Sequence, residues 1–459
     1  MAFYSILYPS LEEESRARRH PWLDYRWKAR KREEAYITRG NKIMAAGGAV
    51  QEDAPKYPGL YLDLNIDRIM ASVLCQESDG DLAEVFYHFC PGTAMALYRH
   101  EVMCMLEQEE TYCAFRTFFL SMHTSDQLLA YGRQAHHPAQ RDKYAVDGAA
   151  LYCEAVRRLL KEAGSLPIAT AGLKGFLDAL DAYVREEGFL RLETAVRSAK
   201  GKVESIRYGL RIEQGCVYVD FDRDGADYGQ AFERDLRAAD SPEAGQEEER
   251  PGIRLFRQAE LSPLEALIMN ALAKRHVQTF RELNQAAALA SAVPGGTVGR
   301  FVKEIRFYFR YLDLMKRLRA EGFSFAYPEF SGSGEIAVRG AYDLALAITT
   351  PAVVPNDFTL SADERGVIVT GANQGGKTTF ARSIGQIAVL AALGLPVPCE
   401  YASIKLYDGI FSQFSEPEDI TAQNGKLKEE LHRLKPILRM AGRDSLVILN
   451  ELFSSATVQ

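Results

Sequence analysis

The stretch TGANQGGKTTFARSIGQ, residues 370–386, decides the fold class of the C-terminal part of this 459-residue chain. It fits the pattern GxxxxGK[ST], with Gly371, Gly376, Lys377 and Thr378 at the fixed positions. Glycines let the backbone turn so that successive N–H groups face one anion, and the positive end of a following helix adds to that attraction. The pattern predicts that Lys377 binds the β- and γ-phosphates of a nucleotide and that the Thr378 hydroxyl binds Mg²⁺.

The segments on either side of this motif support the same interpretation. The apolar run GVIVT, residues 366–370, predicts a buried strand that leads into the glycines. Residues 379–393 predict a helix that Gly394 ends. Strand, loop and helix in this order are the context that the motif requires. The alternative is a glycine turn that carries a solvated lysine.

A second motif lies downstream, where residues 446–449 predict a buried strand followed by Asn450 and Glu451. In nucleotide hydrolases an aspartate usually holds the Mg²⁺ shell here, and the next glutamate polarises the attacking water. An asparagine amide bonds a metal-bound water but adds no negative charge, so we expect weaker Mg²⁺ attraction and slower turnover. The alternative is that Asn-Glu simply ends a core strand.

The rest of the chain predicts a helical scaffold. Residues 1–60 form an irregular segment with basic and acidic runs, and residues 61–255 a helical core with a β-hairpin near 205–221. Residues 256–322 predict a lever of two long antiparallel helices. The second of these, 301–321, carries an apolar stripe made of Phe301, Ile305, Tyr308, Leu312 and Met315.

Composition excludes several classes of protein. The net charge of −7 gives no global attraction to nucleic acid, and no apolar run approaches the roughly 18 residues of a membrane span. The seven cysteines form no CxxC pair, so we expect reduced core thiols in a cytoplasmic protein. The basic segment 15–34 holds Trp22 and Trp27. It is interpreted as a solvated amphipathic helix rather than a contact to a phosphate backbone.

Four blocks of sequence resemble the MutS family of DNA mismatch-repair ATPases. TGANQGGKTT resembles that family's TGPNMGGKST, VVPNDFTL resembles its FVPND segment, and LVILNELFSS resembles LVLLDEIGRGTS. IAVLAALGLPVPCEYASIKLYDGIFSQF resembles the helix, turn and strand that follow the family's phosphate loop. The string GANQGGKTTFAR and the Asn-Glu pair are most similar to a MutS-related subgroup that lacks the mismatch-recognition domain.

The resemblance implies a fold and a set of site residues. The fold is α + α/β: a mostly helical core and lever region, followed at 323–459 by an incomplete P-loop ATPase domain of the ABC type. Glu451 would activate water together with Lys377, and Thr378 and Asn450 would hold Mg²⁺ through water. Asn356 and Asp357 would lie in a nucleotide-side loop. The residues implied to bind the phosphates of ATP and Mg²⁺ are Gly371, Asn373, Gly375, Gly376, Lys377, Thr378 and Thr379.

The sequence departs from the family pattern in four places. The FYE-type string that reads mispaired bases is missing, and Asn450 replaces the aspartate. The family's GxSTF serine, which acts on the partner's nucleotide, has no counterpart in NGKLKEEL, where Lys426 or Lys428 is an alternative source of charge. The sequence stops eight residues after Glu451 (459 − 451), so we expect a truncated ATPase domain with weak hydrolysis.

These features together predict an ATP-binding protein, and by resemblance a DNA-associated ATPase. ATP would close a homodimer, and the long helices would carry that movement to a clamp around DNA. Two alternatives stay open. One is a nucleotide-dependent scaffold for a macromolecule other than DNA, and the other is a degenerate nucleotide binder without turnover. No membrane partner is expected.

Overall fold

A computed structural model describes most of the chain. The described residues are 3–18, 37–39, 42–44, 59–74, 77–213, 216–221, 261, 263–290, 293, 296–332, 334–372, 375–414 and 426–452. The tryptophan-bearing part of segment 15–34, together with Asn373 and Gly425, lies outside these residues. The chain divides into two compact units. Unit 1 comprises Met1–Tyr112, Pro167–Phe176 and Arg300–Gln459, and unit 2 comprises Cys113–Leu166 and Leu177–Gly299.

Helices make up most of the described chain. In order they are α1 (Leu11–Arg18), α2 (Gly59–Asp63), α3 (Ile66–Val73), α4 (Thr93–Glu107), α5 (Glu109–Gln134), α6 (Pro138–Ala163), α7 (Ala171–Tyr183), α8 (Glu187–Glu204), α9 (Pro263–Arg275), α10 (Val277–Ala290), α11 (Gly296–Ala320), α12 (Leu344–Ala347), α13 (Lys377–Ala392) and α14 (Lys426–Met440). A 3₁₀ helix covers Glu77–Tyr87.

The strands are β1 (Ile37–Arg39), β2 (Lys42–Met44), β3 (Gly209–Glu213), β4 (Cys216–Asp220), β5 (Glu329–Phe330), β6 (Ile336–Ala341), β7 (Asn356–Leu360), β8 (Tyr401–Ile404), β9 (Ile410–Phe414) and β10 (Leu446–Asn450). The mixed helix-and-sheet class predicted from the sequence is therefore confirmed. The predicted boundaries at 61, 256 and 323 do not coincide with the two compact units, and they stay predictions.

Unit 2 is built around packed helices. Helix α10 lies against both α6 and α8, and α5 approaches α6 closely at Gly148. A Cβ atom at Gly148 would lie 3.0 Å from the Ser125 carbonyl oxygen, and the Ser125 hydroxyl donates to the Gly148 carbonyl at 2.7 Å. The predicted hairpin is present as the antiparallel pair β3 and β4. Helix α10 is thus part of a bundle with α6 and α8, and the lever predicted over residues 256–322 stays a prediction.

The helical part of unit 1 is centred on α11. The predicted stripe of α11 is buried, from Phe301 at 0% exposure to Met315 at 0%. The N-terminal stretch packs here as well, since the Tyr308 hydroxyl donates to the Ile6 carbonyl at 2.8 Å and Glu304 accepts from the Ser5 hydroxyl at 2.8 Å. The segment expected to be irregular is therefore ordered over residues 3–18, because its apolar residues find a core face on α11.

Two sheets form the C-terminal part of unit 1. The larger has the strand order β5-β8-β6-β7, in which β5 and β8 are parallel and β6 is antiparallel to both of its neighbours. The smaller pairs β9 with β10 in parallel, with Ser412 opposite Ile448 and Phe414 opposite Asn450. Helix α13 packs on β9 and β10. The strand predicted at residues 446–449 is confirmed as β10.

One predicted strand is not formed. Residues 366–370 carry no strand pairing, and Ile368 is 90% exposed. The β-branched composition of GVIVT favours a strand, yet a strand exists only when a neighbour completes the ladder of hydrogen bonds. Among the described residues β10 pairs with β9, and none is paired with 366–370. The prediction of a buried strand leading into the glycines is therefore wrong for this structure.

The cysteines with a described side chain are free thiols, and they differ in burial. Cys90, Cys153 and Cys399 are buried thiols, whereas Cys104 and Cys113 are exposed, so the expectation of core thiols fails for these two. Both lie on amphipathic helices, where helical periodicity places some small residues outside.

Within the described ranges, none of the helices is long and apolar enough to cross a membrane.

Candidate functional site

The site is built on the glycine loop, defined here as residues 370–376, at the start of α13. Gly376 has a φ of 83°, a left-handed conformation that glycine adopts without strain. The Gly375 N–H donates to the Ala372 carbonyl at 3.1 Å, and a Cβ at Gly375 would lie 3.0 Å from that oxygen. The turn is thus too tight for a side chain at Gly375, as a loop that wraps one anion requires.

Lys377 opens α13 and folds back over the loop. Its ammonium group donates to the carbonyl oxygens of Gly371 at 2.7 Å and Ala372 at 2.8 Å. These bonds bring a positive charge to the N-terminal end of α13, where the helix dipole is also positive. Thr379, the last residue of the implied phosphate set, lies in the first turn of the same helix.

Thr378 is brought to the end of β10. Its hydroxyl donates to the Asn450 side-chain oxygen at 3.2 Å, although the two residues are 72 positions apart. Helix α13 supplies one oxygen and strand β10 the other, so the contact joins the two sequence motifs. Oxygen donors of this kind suit a hard cation such as Mg²⁺.

Glu451 follows immediately after β10 and has a φ of 52°. Left-handed backbone at a residue with a Cβ costs on the order of 1–2 kcal/mol. Strained conformations of this kind are found preferentially at functional sites. The Glu451 side chain is exposed.

Asn356 and Asp357 lie at the start of β7, and their recorded hydrogen bonds are made away from the glycine loop. The Asn356 amide donates to the Val354 carbonyl at 3.1 Å, and Asp357 accepts from the Gly340 N–H at 2.8 Å. The link from β7 to α13 is made instead by Phe358, whose ring meets that of Phe380 edge-on at 5.9 Å. A nucleotide role for Asn356 and Asp357 stays a prediction.

A cleft of about 630 Å³ adjoins the site. Lys377, Asn450 and Glu451 line it together with apolar residues, among them Ile368 and Phe380. Its volume falls in the range of pockets that bind small molecules, about 300–1,000 Å³. The unpaired segment 366–370 forms part of its wall, which is why these apolar side chains are exposed rather than packed.

Sequence reasoning missed a set of contacts beneath the site. The Arg382 guanidinium donates through Nε to the Asp63 carbonyl at 2.9 Å, and the fully buried Gln386 amide donates to the Leu64 carbonyl at 2.9 Å. A glutamine within the apolar run of α13 is the signal that pointed to a buried polar partner. The partner itself is more than 300 positions away, so no local pattern identifies it.

The described residues fit ATP with Mg²⁺ in three respects. A tight glycine turn precedes a helix, a lysine stands at the helix N-terminus, and the Thr378 and Asn450 oxygens meet at 3.2 Å. No group of three or more His, Cys, Asp or Glu side chains in the described part of the chain is placed to hold a metal ion. Thr378 and Asn450 would offer a metal two neutral oxygens at this site.

Comparison with known proteins identifies the same region. The MutS domain V family matches residues 367–458. DNA mismatch repair protein MutS from Petrotoga mobilis is 43% identical over 98 residues, which is 21% of this chain and 12% of that protein. DNA mismatch repair protein MutS 2 from Halobacterium salinarum is 35% identical over 125 residues, which is 27% of this chain and 14% of that protein.

A longer match reaches further upstream. DNA mismatch repair protein MutS from Pseudothermotoga lettingae is 25% identical over 198 residues, which is 42% of this chain and 23% of that protein. The chain thus spans less than a quarter of the length of each of these three relatives. Its α13 and β10 fall within the matched residues 367–458, so the C-terminal part of the chain is similar to MutS domain V.

Proposed function

We propose that this chain binds ATP with Mg²⁺ at the glycine loop, and that the loop, α13 and β10 form an ABC-type P-loop site. The observation that carries the proposal is the contact between Thr378 and Asn450 at 3.2 Å. Two motifs that the sequence separates by 72 residues meet where a metal-bound nucleotide requires both of them. The similarity of residues 367–458 to MutS domain V supports the same choice.

Each site residue has a separate role in binding the nucleotide, the metal or water. Lys377 exchanges its two carbonyl partners, Gly371 and Ala372, for phosphate oxygens at the positive end of α13. Thr378 and Asn450 hold Mg²⁺, which when bound neutralises charge on the phosphates. Glu451 orients the attacking water and accepts its proton.

Nucleotide binding is tested by calorimetry with Mg·ATP. Wild-type protein is expected to release heat on binding, and Lys377→Ala is expected to abolish that heat because the site loses the ammonium group at the start of α13. Lys174→Ala, an exposed lysine on α7, is the matched control and should bind as wild type. Equal binding by Lys377→Ala and wild type would contradict the proposed site.

Turnover is tested with Glu451→Gln. The amide keeps the shape of the side chain but cannot take a proton, so hydrolysis should fall by about 10²–10⁴-fold while ATP binding persists. Because Asn450 lacks the negative charge of an aspartate, the wild-type rate itself should be low, and Asn450→Asp should tighten Mg²⁺ binding. If Glu451→Gln and wild type hydrolyse ATP at the same rate, Glu451 has no chemical role and the site binds without turnover.

We further propose that the nucleotide closes a homodimer that associates with DNA, with α11 as the moving lever. α11 has 25 residues, a length of about 37 Å at 1.5 Å per residue. Sedimentation with and without Mg·ATP tests dimer formation. Anisotropy with duplex, mispaired and branched DNA, repeated across salt concentrations, tests the partner, because phosphate contacts weaken steeply with salt. ATP binding without any DNA binding at low salt would favour the scaffold for another macromolecule.

A further inference from the structure

A short turn from the N-terminal helical region reaches under the candidate site. Helix α2 ends at Asp63 and α3 begins at Ile66, so the chain reverses over Leu64 and Asn65. Asn65 has a φ of 55°, a left-handed conformation that asparagine tolerates better than most residues. The reversal places Leu64 in the core, where it is 0% exposed.

The Leu64 side chain touches α13 at Gly385. A Cβ built on Gly385 would lie 2.6 Å from Leu64 Cδ2 and 2.8 Å from Ile448 Cδ1. Such distances are shorter than real Cβ contacts, so a side chain at this position would displace the ends of Leu64 and Ile448, which pack together against the helix backbone. Leu64 and Ile448 therefore meet over the same point of α13.

Gly385 and Ile448 lie on the same faces of α13 and β10 as Thr378 and Asn450. Gly385 follows Thr378 by seven residues, about two helical turns, so the two positions share one face of α13. Ile448 precedes Asn450 by two residues, so both side chains lie on one face of β10. The helix and the strand thus approach each other at two places: at Thr378 and Asn450, and at Gly385 and Ile448, where the Leu64 side chain lies against the same point of the helix.

Hydrogen bonds fix the turn to both elements. The Asp63 and Leu64 carbonyls accept from Arg382 and Gln386 of α13, each at 2.9 Å. The Asp63 carboxylate accepts from the hydroxyl of Ser412 on β9 at 2.8 Å. Since β9 is paired with β10, the turn is held on the helix side and on the strand side at once.

We infer that Leu64 is a positioning residue, a wedge that sets the separation of Thr378 from Asn450 and so the affinity of the site for Mg²⁺. The inference rests on the proposed function and deepens it, because it assigns part of the metal site to the helical region. The glycine loop and Lys377 lie on α13 and on the segment directly before it, and no residue of β10 belongs to them. Loss of the wedge therefore weakens Mg²⁺ binding while metal-free nucleotide binding persists.

The test is the binding of a fluorescent ATP analogue, measured without Mg²⁺ and then across a Mg²⁺ titration. Leu64→Ala is expected to raise the half-saturating Mg²⁺ concentration by about tenfold and to change metal-free affinity by less than twofold. If the alanine variant does not fold, Leu64→Val takes its place, and it should raise the half-saturating Mg²⁺ concentration by about threefold. Leu64→Met, which preserves volume, should restore the wild-type value.

Two comparisons separate positioning from a general loss of stability. Leu106→Ala removes an equally buried leucine from α4 and should leave the Mg²⁺ dependence unchanged. In a Thr378→Val background, Leu64→Ala should cause no further shift, because the contact that the wedge positions is already absent. An unchanged half-saturating Mg²⁺ concentration in Leu64→Ala would contradict the positioning role of Leu64, and so would an equal shift in Leu106→Ala. Either result would leave the proposed nucleotide site standing. Wild-type protein that binds no nucleotide would overturn the proposed function, and the wedge with it.

Discussion

His100 makes the folded protein sensitive to acid. Its side chain is buried on α4, its ring stacks on Phe330 with centroids 5.7 Å apart, and its Nε2 atom has no hydrogen-bond partner among the described residues. Burial, with a smaller contribution from the nearby Arg99 charge, lowers the pKa of His100 from 6.5 to about 4. The folded protein therefore holds this imidazole neutral where an unfolded chain would protonate it.

The size of the effect follows from that shift. Between pH 6.5 and about 4 the unfolded state binds a proton at this residue that the folded state does not, so stability falls as the pH is lowered. A shift of roughly 2.5 pH units, at about 1.36 kcal/mol per unit, corresponds to about 3 kcal/mol. Phenylalanine fits the same aromatic cluster with Phe330 and Tyr327, and it carries no proton.

The perturbation is therefore His100→Phe. The assay is urea unfolding followed by circular dichroism at about pH 7, 5.5 and 4.5. The stability of the variant relative to wild type should increase as the pH falls, by up to about 3 kcal/mol near pH 4. His123→Gln, a change at an exposed histidine on α5, should follow the wild-type curve. Parallel pH curves for His100→Phe and wild type would refute the reasoning, because they would show that His100 titrates equally in both states.

Three further predictions concern buried polar groups and backbone strain, each measured as the free energy of unfolding in urea. Arg99→Met should cost about 3–5 kcal/mol, because the fully buried guanidinium serves the carbonyls of Leu7 and His88 and, at 2.7 Å, of Leu393. A loss of unfolding free energy under about 1 kcal/mol would show that water replaces the guanidinium as the hydrogen-bond donor. Ser5→Ala should cost about 1–3 kcal/mol, since buried Glu304 loses a donor at 2.8 Å. Wild-type stability would exclude this bond as a contributor. Gly394→Ala should cost about 2–3 kcal/mol, because its φ is 69° and the new Cβ would lie 2.9 Å from Arg99 Cβ. A neutral effect would mean that the loop relaxes freely.

Local patterns predicted the parts of the structure that local interactions determine. The glycine loop, α13 and β10 follow from short motifs, and the buried stripe of α11 follows from helical periodicity. Segment 366–370 was predicted wrongly because strand formation depends on a neighbour, which composition does not reveal. The wedge at Leu64 escaped prediction for the same reason. Its partners on α13 lie about 320 positions away, and no spacing rule connects an α2–α3 turn to that helix.

The attachment of the first residues to α11 sets the order in which the chain can fold. Ser5 and Glu304 are 299 positions apart in the sequence. At a synthesis rate of about 5–20 residues per second, roughly 15–60 s pass on the ribosome before the bond can form. Throughout that interval Ile6, Leu7 and Tyr8, all buried in the finished protein, are exposed on a nascent chain. Unit 1 thus cannot be completed before Glu304 has been synthesised, and a nascent chain that exposes apolar residues for this long is prone to aggregate.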